Sequence, residues 1–190
     1  MDSATPLPVP APWTGVLLAG GRSSRMGQDK ARLVWRGMPL IEHMRALLLE
    51  AGAARVAISG CYPEYGAVPD AVPALGPLGG LHSLAATEPD GTWLVVPVDM
   101  PRLAASTLHR LLAAPAAACA CYHGRPLPMR LQLDADSRRT LAALASASGR
   151  GRSLRALHAA LGGIELAIGA GDEDGLANVN TPEQWQELIK

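Results

Sequence analysis

An α/β fold, built as a three-layer sandwich on a mostly parallel sheet, is predicted by three observations. Short apolar runs alternate with segments of helical periodicity through the N-terminal two-thirds of the chain, the pattern of strand–helix–strand units with right-handed crossovers. Trp93-Leu94-Val95-Val96-Pro97-Val98 is a continuous apolar run, as a strand buried in such a sheet must be. Hydrophobic residues make up 48% of the 190 and charged residues 18%, enough apolar material for one sizeable core and no basis for global disorder.

Pro6, Pro8, Pro10 and Pro12 cannot donate to a backbone ladder, so residues 1–12 read as an extended or disordered tail ahead of a single domain, 13–190. Gly15-Val16-Leu17-Leu18 is the first strand, and the Gly/Ser/Arg-rich stretch 19–29 that follows is too flexible for either element. Leu40, Ile41, Met44, Leu47, Leu48 and Ala51 recur at near-helical spacing, after Pro39 near the first turn and before Gly52 as a stop. Arg55–Ser59 reads as the second strand, 61–77 as a Pro/Gly-rich connection with Asp70 in its middle, and 79–86 as a short helix. The 93–98 strand runs into Asp99-Met100-Pro101, where Pro101 forbids the ladder to continue, so Asp99 sits at the strand's carboxyl mouth. Helices follow over 104–113, 137–147 and 154–161, and strands over 117–122, 129–133 and 164–168. Thr181-Pro182-Glu183-Gln184 opens a terminal helix, with Thr181 as cap, Pro182 in the first turn and Gln184 closing a capping box.

Several function classes are disfavoured at once. The 17 basic and 17 acidic side chains balance, and no Lys/Arg cluster is interleaved with aromatics, which argues against a nucleic-acid partner. No apolar run approaches the ~20 residues of a membrane helix, and the N-terminus lacks a secretory pattern, so the expected location is cytoplasmic. Three cysteines, Cys61, Cys119 and Cys121, do not suggest a disulfide framework. Cys119 and Cys121 share one face of a strand and read as small buried hydrophobes, because no second Cys or His pair completes a metal site. His43, His82, His109, His123 and His158 show no metal-ligand spacing either.

The loop after the first strand reads Leu18-Ala19-Gly20-Gly21-Arg22-Ser23-Ser24-Arg25-Met26-Gly27-Gln28-Asp29-Lys30. Gly20 and Gly21 let backbone N–H groups approach a ligand, and Arg22, Arg25 and Lys30 add cations, which together make a cradle for a polyanion such as a phosphate chain. The spacing is neither a Walker A loop nor a G-x-G-x-x-G dinucleotide fingerprint. Composition alone leaves open a plain Gly/Ser connection with solvated arginines. Asp99, level with this loop, is placed to hold Mg²⁺ against phosphate oxygens, or else to cap the turn before Ala104. Asp70 by itself is equally a turn residue before Pro73.

Four motifs in order carry a resemblance: the 18–30 loop, Gly76-Pro77-Leu78-Gly79-Gly80, Pro97-Val98-Asp99-Met100-Pro101, and Asn178-Val179-Asn180-Thr181-Pro182-Glu183. Together they resemble the molybdenum cofactor guanylyltransferases, from about Gly15 to the C-terminus. The resemblance implies a Rossmann-like nucleotidyltransferase fold and a reaction that joins GTP to molybdopterin with Mg²⁺, releasing pyrophosphate. It implies that Leu18, Ala19, Gly20 and Gly21 meet GTP, that Lys30 and Arg25 bind its phosphates, that Asp70 contacts the nucleotide, and that Asp99 holds the metal. The Gly76–Gly80 loop, with Gly79, would lie beside the nucleotide, and Asn178 and Asn180 near the pterin. Molybdoenzyme maturation proteins would be transient partners. Phosphoryl-type transfer needs mainly positioning and charge neutralisation, which a lysine, an arginine and a metal-bound carboxylate provide.

Two departures from the family pattern bear on the pterin side: Arg125-Pro126-Leu127-Pro128-Met129 stands where an Arg-His-Pro run is frequent, and Ser59 where Asn is frequent. Leu18-Ala19-Gly20-Gly21 favours guanine over cytosine, since the related cytidylyltransferases usually read Leu-Ala-Ala-Gly. A carrier that only binds nucleotide or cofactor is the non-enzymatic rival, and it would have no need for both Lys30 and Asp99.

Overall fold

The computed structural model describes residues 11–20, 28–72, 75–148 and 151–190. Most of the proline-rich lead segment, together with Gly21 and Arg25, lies outside the described residues. After the first strand, β1 (Trp13–Leu18), the next described elements are a 3-10 turn, Lys30–Arg32, and a miniature hairpin of β2 (Val34–Trp35) and β3 (Met38–Pro39). The hairpin turns on Arg36 and Gly37, both at positive φ (50° and 86°), the geometry that matches the twist of tight two-residue turns. Its two-residue strands are too short to leave a periodic signal, so the sequence pattern does not reveal it.

The helix α1 (Leu40–Glu50) buries Leu40, Ile41, Met44 and Leu48, the predicted stripe. The strand β4 (Arg55–Ser59) has the predicted bounds, and α2 (Pro77–Thr87) begins two residues before the expected start because Pro77 is preset for the first helical turn. The strand β5 (Gly91–Pro97) and α3 (Ala105–Leu112) follow, then β6 (Cys119–Tyr122) and β7 (Arg125–Leu133). The strand β7 is longer than the predicted 129–133. Pro126 and Pro128 precede the segment paired with β5, which starts at Met129, so their missing N–H groups break no bond of that ladder. The remaining elements are α4 (Ala135–Ser146), α5 (Leu154–Ala160), β8 (Ile164–Leu166) and α6 (Pro182–Leu188).

The six-stranded sheet runs β4-β1-β5-β7-β6-β8. Strand β7 runs against both neighbours, because a two-residue connection from β6 forces a hairpin; the other five share one direction. On the sheet, α1 contacts α3, whereas α2, α4 and α5 pack together, giving the helical layers of the sandwich. Trp93, Leu94, Val95 and Val96 of β5 have no exposure, and one buried cluster extends from Trp13 to Leu188. A buried arginine belongs to this core: Arg130 donates to the carbonyls of Leu111, Leu112, Ala114 and Pro115, closing the carbonyl end of α3 where a cation is electrostatically favoured. Among the described residues no helix is long and apolar enough to cross a membrane.

Because the chain steps from β1 out to β4 and returns to β5 on the other side of β1, the connections leave β1 and β5 in opposite senses. A crevice at the carboxyl ends of two such strands is where open α/β sheets bind ligands.

Candidate active site

Strands β1 and β5 end side by side. Leu18 is the register partner of Pro97, and Val98 N donates to Leu18 O at 3.1 Å, so Ala19-Gly20 and Val98-Asp99 leave the sheet together. The Asp99 carboxylate is engaged at both oxygens: Lys30 Nζ donates to Oδ2 at 3.0 Å and Asn178 Nδ2 to Oδ1 at 2.6 Å. Lys30 Nζ also donates to Asn180 Oδ1 at 2.6 Å. The Lys30 and Asp99 side chains are only 15% and 16% exposed, so their attraction is weakly screened by water. Asp99 is therefore a partner of Lys30 and Asn178.

Each member of this group is held from behind. Asp29 caps the 3-10 turn that presents Lys30, accepting from Ala31 N at 3.0 Å, and Tyr62 donates its hydroxyl to the same carboxylate at 2.7 Å. Burial and then the neighbouring Asp29 raise the Tyr62 hydroxyl's pKa, so it stays a donor. On the opposite side, Val179 N donates to Asp99 O at 2.9 Å. Asn180 N donates to Gln184 Oε1 at 2.7 Å, inside the predicted Thr181/Gln184 capping box of α6. Trp185 of α6 meets Trp35 of the hairpin edge-on at 6.4 Å, so the short hairpin anchors the helix that sets Asn178 and Asn180.

Leu18, Ala19, Gly20, Lys30, Asp99 and Asn178 line a cavity of about 260 Å³. Pro77, at the N-terminus of α2, and Leu127 complete its walls and also line a neighbouring cavity of about 350 Å³ that contains Arg125, Arg152 and Arg155. Two adjoining spaces, one beside a lysine–carboxylate pair and one bearing three arginines, suit two anionic reactants meeting end to end.

Ser59, Asp70 and Gly79 form a second group behind Gly20. A Cβ placed on Gly20 would lie 3.5 Å from Asp70 Oδ1, and one on Gly79 3.6 Å from Asp70 Oδ2. A Cβ on Gly80 would come within 2.5 Å of Ser59 Oγ, so only glycine lets α2 approach the end of β4 this closely. Asp70 Oδ1 is buried with no hydrogen-bond partner among the described residues, and burial raises the pKa of this carboxyl.

The structure thus brings Leu18, Ala19, Gly20, Lys30, Asp99, Asn178 and Asn180 into one group and sets Ser59, Asp70 and Gly79 beside it. Asn178 and Asn180, which the resemblance implies for the pterin side, have their side chains on Asp99 and Lys30. Pro77 lies in the Gly76–Gly80 motif that the resemblance sets beside the nucleotide, Leu127 in the departing 125–129 segment and Asp29 in the first motif, whereas Tyr62, Arg152 and Arg155 were not singled out by the sequence.

The model of the MobA-like NTP transferase domain matches residues 15–163. A molybdenum cofactor guanylyltransferase of Xanthomonas euvesicatoria pv. vesicatoria is 52% identical over 179 residues, covering 94% of this chain and 95% of that protein. One from Pseudomonas fluorescens is 34% identical, covering 93% of this chain and 94% of its own. Among solved structures, molybdopterin-guanine dinucleotide biosynthesis protein A from Archaeoglobus fulgidus matches with a TM-score of 0.72 at 17% identity, over 93% of this chain and 96% of that one, a likeness of fold. By sequence, the chain belongs to the MobA-like NTP transferases and, within them, to the molybdenum cofactor guanylyltransferase family.

Proposed function

We propose that this chain transfers GMP from GTP to molybdenum-bound molybdopterin, releasing pyrophosphate and forming the guanine dinucleotide cofactor. The observation that carries the reading is the Lys30–Asp99–Asn178–Asn180 group at the mouth of β1 and β5, beside a cavity walled by Leu18, Ala19 and Gly20.

In the reaction the terminal phosphate of molybdopterin attacks the α-phosphorus of GTP; a new P–O bond forms as the bond to pyrophosphate breaks. That phosphate is already anionic at neutral pH, so no residue need remove a proton. Asp99 offers hard carboxylate oxygens of the kind Mg²⁺ prefers, so it would hold the ion, while Asn178 orients it by donating its amide N–H to Oδ1. Bound there, Mg²⁺ would neutralise phosphate charge. Lys30 holds its ammonium at the same carboxylate and can pass it to the phosphates, where it offsets the charge of the leaving pyrophosphate. Arg25, carried over from the resemblance, would add a second cation. Asp70 presents a buried acceptor without a donor among the described residues, which fits the N1–H and 2-amino group of guanine. The arginine-bearing cavity receives the pterin substrate. The reading places the reaction in the cytoplasm, with transient contact to molybdoenzyme maturation proteins as the route for the product.

The test supplies molybdopterin, Mg²⁺ and each nucleoside triphosphate in turn and measures pyrophosphate. Release with GTP is expected; release with CTP alone would overturn the guanine assignment, and release with none would overturn the transferase. Asp99→Asn is expected to lower kcat by about 10²–10³ with the fold intact by circular dichroism, the scale on which removing one electrostatic group acts.

A further inference from the structure

Away from this crevice, three potential metal ligands converge from elements far apart in the chain. Cys121 of β6, Glu165 of β8 and His158 of α5 each place a ligand atom within 4.8 Å of the other two. Cys121 and Glu165 are register partners in parallel strands, so their side chains project from the same face of the sheet. A metal-bound set with tetrahedral angles and ligand distances of about 2.0–2.3 Å separates its donors by roughly 3.3–3.8 Å, so contraction of about 1 Å would complete the geometry.

Neighbouring groups hold two of these three side chains. His158 Nε2 lies 3.1 Å from the Ile164 carbonyl oxygen, a bond that orients the ring. His123 Nδ1 lies 2.6 Å from Glu165 Oε2, giving the carboxylate a supporting partner or the ion a fourth donor. Cys121 is buried, yet it lines a cavity of about 300 Å³ with His158 and Glu165, which supplies an entry path.

We propose that Cys121, His158 and Glu165 form a second metal site, distinct from the Asp99 group, that takes a thiophilic divalent ion of the Zn²⁺ type. Binding breaks the S–H bond, forms a sulfur–metal bond and releases one proton to solvent, with no change of oxidation state. A mixed sulfur, nitrogen and oxygen donor set selects Zn²⁺ over Mg²⁺, which prefers oxygen alone. The ion would join α5 and the three-residue edge strand β8 to β6. Arg155, on α5, lines both this cavity and the proposed pterin cavity, so occupancy would also steady that arginine.

The test uses the full chain, stripped with a chelator and titrated with Co²⁺ as probe in excess Mg²⁺. One equivalent is expected to produce a near-ultraviolet thiolate-to-cobalt band and intense visible bands of tetrahedral type, both removed by Zn²⁺. Cys121→Ser is expected to abolish the near-ultraviolet band, His158→Gln to weaken Co²⁺ binding at least tenfold, and Cys61→Ser, at an exposed thiol, to change neither. Should Cys121→Ser fail to fold, Glu165→Gln at the partly exposed carboxylate gives the same reading as a loss of affinity. Absence of a thiolate band in the native protein, or a band lost in Cys61→Ser, overturns the site.

Discussion

Asp70 shows how a single side chain can be poorly placed for folding and well placed for a ligand. Its Oδ1 is buried without a partner among the described residues, and desolvation raises its pKa in the folded state. The sign follows: between the unfolded and folded values the native state binds more protons, so this group's contribution to stability falls as pH rises through the folded value. At neutral pH the ionised carboxylate opposes folding. Asp70→Asn is therefore expected to raise the ligand-free melting temperature at pH 7, with the difference fading below about pH 4, where the acid is protonated in both states. The same substitution is expected to weaken GTP binding by about tenfold, the scale of one hydrogen bond to a charged group. Thermal melts at both pH values with a GTP titration check this; a lower melting temperature at pH 7 with unchanged affinity would contradict it.

At the scale of elements, site geometry depends on helix ends and strand ends more than on helix bodies. Thr181 accepts from Gln184 N while the Gln184 side chain accepts from Asn180 N and Thr181 N, so the cap of α6 fixes the residue that receives Lys30. Thr181→Ala removes the cap oxygen and is expected to lower stability by about 1 kcal/mol. Because the cap also sets Asn180, kcat/KM is expected to fall further than the small loss of folded protein can explain. Denaturant unfolding alongside steady-state kinetics separates the two, and unchanged kcat/KM in the folded variant would show that α6 does not position Asn180.

The same scale shows where the sequence was readable. Strand β5 was legible because a fully buried parallel strand is apolar throughout, and α6 because its capping box is local. The β2–β3 hairpin was not, because two-residue strands have no period and Arg36 is an unusual residue for positive φ. The start of β7 was hidden by two prolines at the end of the strand that does not pair with β5. In the site, Asp99 could be placed from a strand stopped by Pro101, and Lys30 from its loop. The links of Asp99 to Asn178 and of Lys30 to Asn180 could not be read, since they span 79 and 150 residues and rest on the α6–hairpin contact between Trp185 and Trp35. Cys121, His158 and Glu165 were missed for the same reason: spacing rules detect ligands on one element, and these sit on three.

For the whole molecule, strand order explains why chemistry gathers at one edge of the crevice. The sheet brings the ends of β1, β4 and β5 together, and the C-terminal segment returns across them, so motifs from both ends of the chain meet at Asp99. Lys30 and Asp99 hold each other in the ligand-free arrangement, with both side chains largely removed from water. Binding of a triphosphate and a divalent ion is expected to separate this pair. A crystal structure with a non-hydrolysable GTP analogue and Mn²⁺ tests it most directly. The expected result is an anomalous peak bridging the Asp99 carboxylate and phosphate oxygens, with Lys30 Nζ moved onto a phosphate and the base beside Asp70. A nucleotide bound elsewhere, or an Asp99–Lys30 pair left intact with no ion at the carboxylate, would contradict the account.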